Sequence, residues 1–142
     1  MTLHLLRLCV GVGDIEHLRR IQADRSATPE GFREPYAVTR RTPTRAAELL
    51  DGGSLYWVMK GHVRVRQRIL GVETVSDADG KPACLLTLHH GLVPTLPVTQ
   101  RPFQGWRYLT AQAAPPDLAA LGEGAADLPP DLAAELKDLG LL

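Results

Sequence analysis

GSLYWVMKGHVRVRQRIL, residues 53–70, decides the fold. Ser54–Lys60 is dense in Leu, Tyr, Trp and Val, a composition that suits a pleated, half-buried surface. From His62 the chain alternates valine with arginine, the period-two pattern of a strand with one apolar side. Lys60-Gly61 between them fits a two-residue turn, so the segment reads as a β-hairpin. A turn there sets the pairing as Met59 with His62, Val58 with Val63, Trp57 with Arg64 and Tyr56 with Val65. Opposed residues share a face. Ser54, Tyr56, Val58, Val63, Val65, Gln67 and Ile69 are then the core side. Leu55, Trp57, Met59, His62, Arg64, Arg66 and Arg68 are the other.

Downstream, Asp77-Ala-Asp-Gly80 is a turn and ACLLTL, residues 83–88, a third strand of a meander. Pro94, Pro97 and Pro102 mark irregular chain, and FQGWRYL, residues 103–109, a last aromatic strand or turn. Upstream, Thr42 is placed to cap a helix over PTRAAELL, with Pro43 at its first position and an exit at Asp51-Gly52-Gly53. YAVTR, residues 36–40, is a short strand and residues 26–35 a loop. Asp14 caps a helix from Ile15 to about Asp24, with Ile15, Leu18 and Ile21 on one side. LHLLRLCVGV, residues 3–12, is a buried strand. The expected fold is α+β: a curved mixed sheet of five or six strands, or a small pseudo-β-barrel, with two packed helices and a helical C-terminal tail. Turns rather than crossover helices join the strands of 54–88, which argues against a doubly wound sheet.

The 142 residues suit one core domain, 1–111, followed by an acidic helical tail, 112–142. Residues 1–111 hold 15 of the 16 Lys and Arg and 10 of the 16 Asp and Glu, a net +5; the tail holds one Lys and six acids, a net −5. Such asymmetry suits an acidic segment lying against a basic body as well as a simply solvated helix. PPDLAA occurs twice, at 115–120 and 129–134, and part of the tail near Gly122–Pro130 is expected to be disordered. Cys9 and Cys84 sit in apolar runs outside any CxxC pair and read as reduced core thiols. Neither a signal peptide nor a membrane span is evident, and the chain is read as cytoplasmic.

Arginines beside aromatic rings supply charge for phosphates and π-faces for bases, the needs of a single-stranded nucleic-acid surface. The expected anion-binding residues are Arg45, Trp57, Arg64, Arg66, Arg68, Trp106 and Arg107, with Tyr56, Lys60, Arg41, Gln104 and Tyr108 as additional members. A charged face that keeps a sheet from aggregating explains the same alternation. His89-His90 makes no metal site, since adjacent strand residues point apart. Gly11-Val-Gly13-Asp14 lacks the remaining residues of a phosphate loop, and no GxSxG surrounds Ser54. No cofactor or metal is expected.

LHLLRLCVGV, RAAELLDGGSLYWVMKGHVRVRQRIL (45–70), the Asp79-Gly80 turn with Cys84, and RPFQGWRYL (101–109) together resemble domain-of-unknown-function family 1489, short bacterial proteins, over roughly residues 3–118. The resemblance brings no activity. It implies shared motif positions from Asp51 to Gly53, at Tyr56, Trp57, Lys60 and Gly61, from Arg66 to Arg68 and from Gln104 to Tyr108. The order of elements also looks like PUA/ASCH-type small barrels, many of which bind RNA; fold alone assigns no function. The expected function is a module for RNA or another nucleic acid or nucleotide-like anion. The alternatives are a protein-interaction or self-association module, and a small hydrolase or transferase using Ser54, His62 or His89.

Overall fold

A computed structural model describes residues 2–29 and 31–121 of the chain. The hairpin forms where the sequence places it: β5 (Ser54–Met59) and β6 (His62–Ser76) are antiparallel across Lys60-Gly61. Both turn residues have left-handed backbone, φ 49° and 80°, as a type I′ turn requires. Met59 faces His62 and Val58 faces Val63 as expected.

Beyond that point the expected register fails. Trp57 lies opposite Val65, Tyr56 opposite Arg66, Leu55 opposite Gln67 and Ser54 opposite Arg68, because one extra residue, at Arg64, is taken up as a bulge. A one-residue offset moves every later side chain to the other face. Val65, Gln67 and Ile69 therefore join Leu55, Trp57 and Met59, while Arg66 and Arg68 join Tyr56 and Ser54. The offset has an energetic reason. It sends Leu55, Trp57, Met59, Val65 and Ile69 into one core, where all are buried, and takes two guanidinium groups out of it.

Around the hairpin the six-stranded sheet has the order β4-β7-β6-β5-β1-β8, with β4 (Tyr36–Thr39), β7 (Pro82–Thr99), β1 (Leu3–Leu8) and β8 (Trp106–Thr110). Only β1 and β5 are parallel. The chain between them includes α1 (Ile15–Ser26), a small β2–β3 ribbon (Ala27–Thr28 with Gly31–Phe32), β4 and α2 (Ala46–Leu49). The fold is α+β with a curved mixed sheet, and it is not a closed barrel. Its two edges, β4 and β8, approach each other on the inner face and are tied by side chains. Arg7 of β1 donates to the Val38 carbonyl (2.9 Å), and the Trp106 indole N–H donates to the Arg41 carbonyl (2.7 Å).

Several local expectations hold. Asp14 caps α1, its Oδ1 accepting from the His17 N–H at 2.7 Å, and Leu18 is buried against the inner core. Gly52 exits α2 with φ 82°. Others are corrected. The helix over PTRAAELL is only Ala46–Leu49. Its start is fixed from outside: the Arg45 N–H donates to the Tyr108 hydroxyl, and Thr42 Oγ1 meets Thr74 Oγ1 instead of capping. β7 continues through Pro94 and Pro97 rather than ending near Leu88. The prolines fall beyond the reach of β4, whose pairing stops at Thr87, and where the ladder to β6 shifts register near Val63–Val65. There a missing N–H removes little.

The outer face carries a second, smaller core of Leu6, Tyr56, Val58 and Val63, against which Leu8, Phe103, Leu109 and Ala114 pack. After β8 the chain crosses this face to α3 (Leu118–Leu121). Thr95 of β7 bridges to Asp117. The second PPDLAA copy and the expected disordered segment lie outside the described residues.

Candidate functional site

The expected arginine–aromatic set divides between the two faces. On the inner face Trp57 and Trp106 are buried core residues with their indole N–H groups committed, Trp57 to Gln67 Oε1 (3.1 Å) and Trp106 to Arg41. Neither ring can stack a base. Trp106, Tyr108, Arg41 and Arg45 instead form a ladder along the seam. Tyr108 meets Trp106 edge-on at 4.8 Å, and the Arg41 and Arg45 guanidiniums lie 4.2 Å from the Trp106 ring and 5.6 Å from that of Tyr108. Arg45 also pairs with Glu48. Arginine beside aromatic is here the mortar between sheet edges. Arg64 is buried and donates to the Gly13 carbonyl (3.4 Å). Lys60 occupies the hairpin turn, and Gln104 is exposed ahead of β8.

The outer face collects the rest. Arg66, Tyr56, Leu6 and Arg107 are consecutive partners across β6, β5, β1 and β8, and so form one row. Arg68 pairs with Ser54 in the adjacent row, and His4 of β1 lies beside Ser54. Arg68 and Arg107 are exposed; Arg107 stacks 4.8 Å from the Phe103 ring. Arg66 is half-buried and holds Asp117 through two parallel bonds, Nε to Oδ1 and Nη2 to Oδ2, both 2.7 Å. Its Nη1 donates to Ser54 Oγ (3.0 Å). A shallow cleft of about 330 Å³ opens here, between His4, Tyr56 and Arg66 of the sheet and the Ala111–Asp117 segment.

Electrostatics define what this cleft can hold. The hydrogen bond from Arg66 keeps the Asp117 carboxyl below the ordinary carboxylate range and keeps the guanidinium charged. His4 accepts from the Ser54 N–H at Nδ1 (3.0 Å), and burial, then the Arg66 charge, lower its pKa, so at neutral pH it is an uncharged ring with its proton on Nε2. Tyr56, edge-on to His4 at 5.1 Å, is pushed up by burial and stays a phenol. The one guanidinium of the cleft is thus paired with a carboxylate, Asp117, and the rings beside it, His4 and Tyr56, are neutral.

Nucleophilic chemistry finds no assembly among the residues weighed for it. Ser54 and His62 stand at opposite ends of the hairpin, roughly 17 Å apart at about 3.4 Å per residue. His89 Nδ1 accepts from the Gly91 N–H (2.9 Å), and Ser54 Oγ is engaged by Arg66. Burial lifts the Cys9 thiol to about 11, away from the thiolate. Reading the sequence alone missed His4 and Asp117 as members of the outer cleft. The signal for Asp117 was the charge asymmetry, which points to a segment without picking a residue.

A pH dependence follows from both shifts. A native pKa below the unfolded one means that the unfolded chain binds the proton first, so stability is lost as pH falls. For His4 the loss begins below its ordinary 6.5; for Asp117 it begins below 3.8. Urea midpoints are therefore expected to fall between pH 7 and pH 5, with that slope removed in His4→Gln. The Leu96 amide, which donates to the Pro116 carbonyl, is expected to lose exchange protection only at lower pH, when Asp117 protonates. A flat profile from pH 7 to pH 5 contradicts the assignment of His4.

A family model described as "Protein of unknown function (DUF1489)" matches residues 5–142. The chain belongs to the DUF1489 family. The match extends beyond the motifs of residues 3–118 to take in the tail. No curated protein and no solved structure matches this DUF1489 chain. Among the described residues no helix is long and apolar enough to cross a membrane, and no three metal-ligating side chains cluster.

Proposed function

We propose that this DUF1489 chain is a binding module for single-stranded RNA, whose phosphates lie along the outer face of the sheet at Arg66, Arg68 and Arg107. One observation carries the reading: the bulge at Arg64 brings Arg66 and Arg68 to the side that holds Arg107, and one of the three already grips an oxyanion, the Asp117 carboxylate, in the two-point geometry that phosphate also accepts. Asp117 then acts as an internal stand-in for phosphate. Tyr56 and Trp57 are withdrawn as stacking groups, since both are buried; Phe103, half-buried under Arg107, is the aromatic surface that remains.

Fluorescence polarisation with a labelled RNA of about ten nucleotides and the matching single-stranded DNA tests this. Three phosphate contacts predict that log K falls with log salt at a slope of about −2, and Arg68→Ala makes the slope shallower by about 0.7. Asp117→Asn binds more tightly than the parent. No binding of either strand at low salt, or a slope unchanged in both Arg68→Ala and Arg107→Ala, overturns the reading. The Asp117 contact also favours a second reading, in which the same face receives the acidic segment of another copy. Loss of a dimer on deleting 112–142, without any RNA binding, decides for that alternative.

A further inference from the structure

On the opposite side of the sheet a separate cleft of about 310 Å³ lies at the C-terminal ends of the parallel pair β1 and β5. The Cys9–Val12 loop, the inward side of α1, Tyr36 and Trp57 line it. The volume is at the lower limit for a metabolite. Two guanidiniums, Arg7 and Arg25, line the cleft together with His17, and among the described residues no carboxylate does. Leu18, Ile21, Val12 and Trp57 supply an apolar wall.

Arg7 is the telling group. It is half-buried, donates one hydrogen bond to the Val38 carbonyl, and lies 5.9 Å from the Trp57 ring centroid. Among the described residues it has no carboxylate within ion-pair distance, unlike Arg66 with Asp117. Burial weakens its hold on the proton, the mark of a cation short of compensation. A guanidinium carries five N–H donors in a planar fork, so the bond to the Val38 carbonyl leaves Arg7 with further donors, and Arg7 lines the cleft.

We propose that this inner cleft binds a small organic acid, its carboxylate held by Arg7 with Arg25 at the rim and its apolar body against Leu18, Ile21 and the Trp57 edge. The site is independent of the outer face. Its apolar wall favours a carboxylate on a hydrocarbon body over inorganic phosphate, which has no apolar part to set against that wall.

Trp57 reports occupancy directly. The chain has two tryptophans, so its amide–indole NMR spectrum has two indole signals, and that of Trp57 comes from the cleft wall. Titration of the full chain with benzoate is expected to move the Trp57 signal and leave that of Trp106 in place, with a Kd of about 1 mM for a ligand of that size. Benzamide, the neutral isostere, is expected to bind at least about tenfold more weakly. Arg7→Gln abolishes the shift. Arg25→Gln, a change at an exposed residue that leaves the seam intact, weakens binding severalfold and keeps the test valid if Arg7→Gln does not fold. Phosphate shifting Trp57 as strongly as benzoate, equal binding of benzamide, or no shift at 10-fold the expected Kd overturns the proposal.

Discussion

Gln67→Ala is expected to lower unfolding stability by about 4 kcal/mol, read from urea transitions with unchanged m. Gln67 is fully buried and every polar position of its amide is used. Its Oε1 accepts from Gln22 Nε2 (2.9 Å) and from the Trp57 indole (3.1 Å), and its Nε2 donates to Gln22 Oε1 (2.7 Å) and to the His89 carbonyl (2.8 Å). One truncation leaves an indole N–H, a carbonyl and an amide without partners in a low-dielectric interior, where each orphan costs roughly 1–3 kcal/mol. Gln22→Ala is expected to cost less, about 1–2 kcal/mol, because Gln22 lies nearer the surface and Gln67 keeps two of its four bonds. The double variant should fall short of the sum by about 1 kcal/mol, since the pair is mutual. A loss under 1 kcal/mol in Gln67→Ala means that water reaches the network and that α1 does not seal this end of the core.

This network also shows how far the sequence could be read. Gln67 was legible as inward-facing from its place between Val65 and Ile69, and a buried amide must have partners. Nothing in the sequence singles out Gln22, forty-five residues earlier, as that partner. The turn at Lys60-Gly61 and the cap at Asp14 were legible because each depends on a few adjacent residues. The register was not. LYWVM is apolar at every position, so either face of β5 is a plausible core, and the offset is decided by the burial of Trp57 and Leu55 in contacts with α1 and β1 that lie far along the chain. The short α2 and the proline-crossed β7 failed for a related reason. In both, tertiary partners (the Tyr108 hydroxyl in one, the limited reach of β4 in the other) override local propensity.

The consequence for the candidate site is specific. Alternating arginines and neighbouring aromatics suggested one mixed surface, and the bulge separates them. The inner rings of Trp57, Trp106 and Tyr108 complete a core and a seam. The outer guanidiniums of Arg66, Arg68 and Arg107 are left with the Phe103 ring, a phenol, a neutral imidazole and an internal carboxylate. Any ligand on that side is held first by charge, so its affinity is salt-sensitive and weakly selective for bases.

Gly53→Ala is expected to abolish the fold or, where protein survives, to lower stability by at least about 4 kcal/mol, a fall in Tm of roughly 12–16 °C for a chain of this length. A Cβ at Gly53 would stand 2.2 Å from the Leu3 carbonyl oxygen and 2.4 Å from that of Leu49, and both are backbone atoms. Neither can turn aside, because Gly53 is tied on both sides: its N–H donates to the Leu49 carbonyl (2.9 Å) and its own carbonyl accepts from Ile69 (3.0 Å). The residue is the point where the end of α2 touches the start of β1 and launches β5, so relief requires separating elements whose contact buries Leu49 and Leu3. The adjacent glycine supplies the control. Gly52 has φ 82° and little around it, the nearest atom being Thr2 Oγ1 at 4.0 Å, an ordinary van der Waals distance. Gly52→Ala therefore meets only the left-handed backbone penalty, about 1–2 kcal/mol. If the two alanine variants melt together, close approach at Gly53 is not what holds α2 against the sheet, and the route by which β5 enters the core is wrong.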